Sequence, residues 1–155
     1  MSQIKTLIQP HGGKLINCYL SEQEQKDTLL RAINLPRLIL SIRNIADLEC
    51  IATGVYSPLN GFVNEQEYNS IVRDMRLPNG LAWSIPVTLQ IPESEAEQYK
   101  LGSEIALAHP NGEILAVMTV KSKFKPDQNF EAQQVYRTSE EAHPGVTAML
   151  REGNV

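Results

Sequence analysis

The spacing of apolar residues changes period several times along the chain, and each change marks an element. Ser21-Glu22-Gln23-Glu24 has the form of a capping box, with a hydroxyl for the third helical N–H and a carboxylate there to reach back. The helix it opens is expected to carry Leu29, Leu30 and Ile33 inward and to stop near Asn34, ahead of Pro36. Leu38-Ile39-Leu40 is a short apolar run bounded by Pro36-Arg37 and reads as a buried strand. Ile45, Leu48, Ile51 and Ala52 then fall at three- and four-residue intervals, which places them on one helical face. Asn44 stands ahead of that run as the expected N-cap, with Asp47 and Glu49 near the positive end of the helix. Gly54 sits where a left-handed C-cap would end it. The next eight residues, Val55 to Phe62, are too apolar for a solvated loop and too rich in Pro and Gly for a helix. They predict a tight turn pinned into a core by Tyr56, Leu59 and Phe62.

Asn64-Glu65-Gln66-Glu67 repeats the capping logic before a helix with Tyr68, Ile71, Val72 and Met75, and Pro78-Asn79-Gly80 turns the chain. From Trp83 to Ile91 the alternation predicts a strand with Ile85, Val87, Leu89 and Ile91 on one face. Pro86 cannot donate to a ladder and demands an edge or bulge there. Pro92 to Tyr99 reads as a short acidic surface helix. Two strand-like runs, Ile105–His109 and Ile114–Val120, flank Pro110-Asn111-Gly112, and Asn-Gly in that place predicts a hairpin with a type I′ turn. Lys121, Lys123 and Lys125 alternate with less polar residues and would line one side of a strand, a lysine-protected edge. Asp127 to Arg137 reads as helical, with Phe130, Val135 and Tyr136 inward. His143-Pro144-Gly145 leads to a last short helix from Val146 to Arg151, closed by Gly153. Strands dominate the middle with helices interspersed, so the class is α+β with a mixed or antiparallel sheet.

At 155 residues the chain is expected to form one domain, with enough apolar material for a core without staples. A formal net charge of −4 gives no support to a nucleic-acid surface. Two cysteines, Cys18 and Cys50, make neither a disulfide framework nor a metal spacing, and their apolar neighbours predict buried free thiols. The N-terminus lacks the apolar run of a signal peptide, and a cytoplasmic location is the default expectation.

Candidate chemistry is sparse. Ser57 lies in Tyr56-Ser57-Pro58 rather than in a nucleophile elbow, and reads as a turn serine. Cys18 and Cys50 have no neighbouring His to activate them. His11, His109 and His143 are far apart, each beside Pro or Gly, and read as turn and capping residues. Gly12-Gly13-Lys14 lacks the earlier Gly and the following hydroxyl residue of a phosphate loop, since position 15 is Leu. No residue is assigned a catalytic, cofactor-binding or metal-ligating role.

One resemblance adds to this reading. Gly54-x-Tyr56-Ser57-Pro58-Leu59-x-Gly61-Phe62 resembles the amino-terminal domain of ATP sulfurylase (sulfate adenylyltransferase). The likeness continues through Tyr68, Met75-Arg76-Leu77 and Asn79-Gly80-Leu81-Ala82-Trp83-Ser84-Ile85-Pro86-Val87. It extends back to Pro10-His11-Gly12-Gly13-Lys14-Leu15 and forward to His143-Pro144-Gly145-Val146. It implies a PUA-like β-barrel decorated with short helices over residues 1–155. It also implies a parent that makes adenosine 5′-phosphosulfate and pyrophosphate from Mg-ATP and sulfate, with the chemistry in a following catalytic domain. The family's Gln-x-Arg-Asn-Pro and His-x-x-His elements have no counterpart here. Ser41-Ile42-Arg43-Asn44-Ile45 lacks the Gln and the Pro and lies in the wrong region of the match, so no role is carried onto it. Phosphoryl-transfer chemistry rests almost wholly on positioning and charge stabilisation, and the chain alone is therefore expected to be inactive and to hold no cofactor. The expected partner is the missing catalytic domain, with a homo-oligomeric parent left open. The competing reading is a free-standing PUA-like module that binds RNA, which the net charge and three Phe argue against.

Overall fold

Three strands form the only sheet among the residues that the computed structural model describes, 7–151 and 153–155. β1 (Arg37–Ile39) pairs parallel to β2 (Glu104–Ala108), which pairs antiparallel to β3 (Ile114–Thr119). The sheet is mixed and open, so the α+β class holds and a closed barrel is not formed by these strands. Around it lie α1 (Glu22–Ala32), α2 (Ile42–Thr53), α3 (Glu65–Asp74), the short α4 (Glu93–Ala96) and α5 (Gln128–Glu131), and α6 (Pro144–Arg151). A π-helical turn, Ala132–Tyr136, continues α5.

The caps explain where the helices start. Ser21 with Glu24 and Asn64 with Glu67 form the two expected capping boxes, each satisfying two orphan donors of its helix. In α2 the cap is Ser41, whose Oγ accepts the Asn44 N–H at 3.1 Å. Asn44 is thus the third helical residue, and its buried side chain accepts a hydrogen bond from the Ser41 hydroxyl at 2.8 Å. The cap lies three residues earlier than expected because Ile42 and Arg43 already turn helically behind a serine. Gly54 ends α2 in the left-handed region, φ 82°. α6 begins at Pro144, where a missing N–H costs nothing.

Three clusters fill the interior, the smallest being Ala132, Val146 and Met149 with Tyr136 against them. Ile51, Leu59, Val63, Ile71, Val72 and Leu77 pack between α2, α3 and the turn after α2, with Tyr56 and Phe62 half-buried against them as expected. Leu38, Leu40, Ile105, Leu107 and Val120 pack on the sheet.

Several expectations fail for identifiable reasons. Residues 83–91 form no strand: one isolated bridge, between Arg76 and Ala82, stands just ahead of the run, which has no ladder of its own. Pro86 has no N–H to give, and the Val87 carbonyl accepts from Val63 N at 2.9 Å instead of from a sheet. Residues 121–125 likewise leave the sheet after Val120. Lys125 pairs with Glu93, and Lys123 Nζ donates to the Ala96 carbonyl, so two of the three lysines hold α4 rather than guard an edge. The hairpin exists, but Gly112 has positive φ and Asn111 does not. Gly112 N–H reaches the His109 carbonyl and His109 N–H reaches Glu113, which is a three-residue loop with glycine in the left-handed position rather than type I′. Pro110 fixes that choice, because its ring presets the first turn position.

On α1 the inward residue is Ala32; Leu29, Leu30 and Ile33 are 49%, 70% and 52% exposed. Around residue 130 the phase is also shifted. Phe130 is exposed, Glu131 and Ala132 are buried, and Val135 and Tyr136 are half-buried. Cys18 is exposed and Cys50 half-buried, so the thiols are free but neither is deep in the core.

Candidate interaction surface

Of the blocks that carry the resemblance, those at Pro10–Leu15, Gly54–Phe62 and Asn79–Val87 lie far apart in sequence and meet at the end of α2, while His143–Val146 packs against Ala132 and Tyr136. Gly54 N–H caps Ile51, and the turn that follows contains a cis Ser57–Pro58 peptide. Ser57 is 4% exposed; its Oγ donates to the Gly54 carbonyl at 2.7 Å and accepts the Ile16 N–H at 2.9 Å. Cys18 N–H reaches the Ala52 carbonyl at 3.0 Å, so residues 16–18 run as a strap across the C-terminus of α2 and satisfy one of its orphan carbonyls. A Cβ on Gly12 would stand 3.1 Å from both Leu81 and Pro58, which brings the first, second and fourth blocks into contact. His11 Nε2 donates to the Ala82 carbonyl at 2.8 Å, with its ring 6.3 Å from that of Trp83. Tyr56 meets Trp83 edge-on at 6.0 Å, a favourable arrangement of ring quadrupoles. Its hydroxyl donates to Asp47 at 3.2 Å, and burial first, then the Asp47 carboxylate, push the phenol up to about 12.

The polar atoms here are directed at neighbouring backbone. Ser57 is a turn serine, as its sequence context predicts. His109 Nδ1 accepts from Asn111 N–H and His143 Nδ1 from Gly145 N–H, both capping roles. His109 and His143 serve their own loops, His11 ties the N-terminal loop to Ala82, and no hydrogen bond joins one histidine to another. Gly12 and Gly13 both have positive φ, and Gly13 N–H closes a turn on Pro10. The loop therefore points its first glycine into Pro58 and Leu81 rather than presenting a row of donors. Arg43 sits exposed in the first turn of α2. Among the described residues, no group of three or more His, Cys, Asp and Glu side chains could hold a metal ion.

One polar feature was not legible beforehand. Tyr68 in α3 donates to Glu131 Oε2 at 2.7 Å, and both residues are 4% exposed. Burial, then the hydrogen bond and charge of Glu131, raise the Tyr68 phenol well above its ordinary value. A helical pattern that placed Phe130 inward gave no sign of this; a buried carboxylate is visible only once its partner, 63 positions away, is known.

Two surface features remain. The exposed apolar residues of α1 form one. The other is a cavity of about 380 Å³ beside the sheet, with Leu38, Phe62, Ile105 and Val120 in its apolar wall and Gln90, Lys121 and Val155 at its lining. No helix among the described residues is long and apolar enough to cross a membrane.

The chain is 46% identical over 150 residues to a sulfate adenylyltransferase of Symbiobacterium thermophilum, covering 97% of this chain and 38% of that one. It is 43% identical to the sulfate adenylyltransferase of Acaryochloris marina, across 100% of this chain and 40% of the relative. It is 44% identical to a probable bifunctional SAT/APS kinase 2 of Sorangium cellulosum, across 96% and 26%. The chain thus spans about two fifths of the sulfate adenylyltransferases it matches. Among solved structures, a hexameric APS kinase from Thiobacillus denitrificans superposes with a TM-score of 0.71 at 30% identity, over 78% of this chain and 24% of that one. The family model of the PUA-like domain matches residues 8–155, nearly the whole sequence, and the chain belongs to that family.

Proposed function

We propose that this chain is the amino-terminal, non-catalytic domain of a sulfate adenylyltransferase, a single PUA-like domain over residues 1–155. The observation that carries the reading is the combination of 46% identity across 97% of this chain with coverage of only 38% of the relative. The parent would join ATP and sulfate into adenosine 5′-phosphosulfate and release pyrophosphate in the cytoplasm, as part of sulfate assimilation. Its Mg-ATP would be held elsewhere. The Gly12-Gly13 turn, packed on Pro58 and Leu81, supports that placement. The role of this domain is to pack against the catalytic part. A homo-oligomeric parent belongs to the same reading, supported by the hexameric structural neighbour. Closure of the barrel would require residues 83–91 and 120–126 to join the three-stranded sheet.

The test measures pyrophosphate release from ATP and sulfate by the 155-residue chain alone, and its binding to the remaining three fifths of the Symbiobacterium relative. The expected result is no turnover alone and a stable complex with that remainder. Turnover by the isolated chain refutes the reading. RNA retention that weakens steeply with salt would replace it by the RNA-binding module.

A further inference from the structure

α1 is the long helix that the chain itself holds least. Of its eleven residues Ala32 alone is buried. A helix of that length is marginal in water without a packed face. Two polar devices keep it in place: the Ser21–Glu24 capping box at its start and the Arg31–Glu104 ion pair in its last turn. Leu29, Leu30 and, at the C-cap, Ile33 are all exposed. They stand within roughly 100° of one another around the axis, an unbroken stripe beside the line of Ala32. A lone exposed leucine needs no account, but three large aliphatic groups within five positions make a patch. The helix thus lays one face over β3 and keeps a second, apolar face that the described residues leave uncovered.

The place of residue 155 identifies what lies against this face. Arg31 binds Glu104, the first residue of β2, and Glu104 stands opposite Thr119, the last residue of β3. Thr119, Ile91 and Val155 line one cavity, and Val155 exchanges backbone hydrogen bonds with Ile91. The C-terminal end of α1 and residue 155 therefore lie at the same end of the sheet. On the function proposed above, the remaining three fifths of the parent follow Val155, so they emerge beside the uncovered stripe. Area favours the same occupant over a second copy. The exposed fractions of the three side chains amount to roughly 100–200 Å² of apolar surface. Each partner of a standard free complex buries about 800 Å², of which roughly 450 Å² is apolar. A dimer joined through α1 alone falls short of that, whereas a body linked through residue 155 is held next to the stripe and adds contacts of its own.

We infer that the stripe of Leu29, Leu30 and Ile33 is covered by an apolar surface of the catalytic part of a sulfate adenylyltransferase, and that this contact forms part of the joint between the two. The identity of the partner rests on the function proposed above; the stripe itself rests on the exposure of α1 and its place at the end of the sheet where residue 155 lies.

The experiment mixes the 155-residue chain with the remaining three fifths of the Symbiobacterium relative and reads both affinity and amide exchange. Amides of α1 beyond its first turn should exchange at least about tenfold more slowly in the complex, because the contact supports a helix that is marginal alone. Leu30→Glu should weaken binding about tenfold or more, since a carboxylate would lose its water where the leucine packs. Val55→Glu, at an equally exposed position just past α2, should leave binding unchanged. Melts of each variant alone report folding, and exchange in the unaltered chain decides the matter even if Leu30→Glu unfolds. If the remainder binds while α1 exchange is unchanged, the inference is refuted and the proposed function stands. The same holds if Leu30→Glu binds as the unaltered chain does, or if Val55→Glu weakens binding as much. If the chain dimerises and Leu30→Glu dissolves the dimer, the stripe serves a second copy and the inference fails. If the remainder does not bind at all, the proposed function and the inference fall together.

Discussion

Gly54→Ala separates two reasons for a glycine that coincide at the end of α2. The first is conformational. Gly54 has φ 82°, and a left-handed non-glycine residue costs about 1–2 kcal/mol. The second is contact: a Cβ at Gly54 would overlap the Ile16 carbonyl oxygen and touch Leu15. The overlapped atom belongs to a backbone, so the strap at residues 16–18 has to move. Its two ties, Ile16 N–H to Ser57 Oγ and Cys18 N–H to the Ala52 carbonyl, would then be lost or weakened. At about 0.5–1.5 kcal/mol each, these raise the expected cost of Gly54→Ala to about 2–5 kcal/mol. Gly80 provides the control, because it has φ 86° with nothing within 4 Å of an added methyl, so Gly80→Ala should cost only the conformational 1–2 kcal/mol, roughly. Urea unfolding followed by the fluorescence of Trp83 compares the two, and amide exchange reads the strap directly. Equal costs for the two variants, or undiminished protection of the Ile16 and Cys18 amides in Gly54→Ala, would refute the contact argument.

Four other outcomes follow from named contacts. Tyr68→Phe removes a donor from the buried Glu131 carboxylate and should cost about 1.5–3 kcal/mol in urea unfolding. Stability should also fall above pH 10, where the unfolded tyrosines release protons that the folded chain retains on Tyr68, Tyr56 and Tyr99. Because these folded pKa values are raised, their contribution is complete below pH 10 and declines by up to about 1.4 kcal/mol per pH unit for each retained proton; Tyr68→Phe should flatten the decline, measured by pH-dependent melts. Leu30→Glu, on the exposed face of α1, should change stability by no more than about 0.5 kcal/mol, as measured by urea midpoints. Iodoacetamide should alkylate the exposed Cys18 faster than the half-buried Cys50, resolved by peptide mass spectrometry.

What could be read from the sequence was what is decided within a few residues. A capping box spans four positions, so Ser21 with Glu24 and Asn64 with Glu67 announce their helices unaided. Gly54 announces the end of α2 for the same reason, and Asn111-Gly112 announces a hairpin, although Pro110 alters the turn type. Where the outcome depends on a distant partner, pattern alone misleads. The alternation from Trp83 to Ile91 is genuine, but pairing depends on where Val63 and Val155 lie. Leu29, Leu30 and Ile33 make an apolar face, but periodicity says nothing of whether the same chain covers it. Glu131 gives no local hint of burial at all. The candidate site follows the same division. The block at Gly54–Phe62 was legible as a pinned turn, whereas the cavity beside Gln90 arises from residues spread between Leu38 and Val155.

This division bears on why the blocks that identify the family carry so little visible chemistry. His11, Ser57 and Trp83 each donate to a backbone carbonyl, those of Ala82, Gly54 and Ile85. At Gly54 one part of the backbone passes too close to another for a side chain, and at Gly12 an added Cβ would press on the Leu81 and Pro58 side chains. These residues fix the meeting of the strap, the end of α2 and the run after α3. A substrate-binding block would aim its polar atoms at a common point in a cavity; these aim at the chain itself. The one buried side-chain atom without a partner among the described residues, Gln90 Oε1, lies elsewhere, on a residue beside the cavity. A variant in the signature is therefore expected to act through folding.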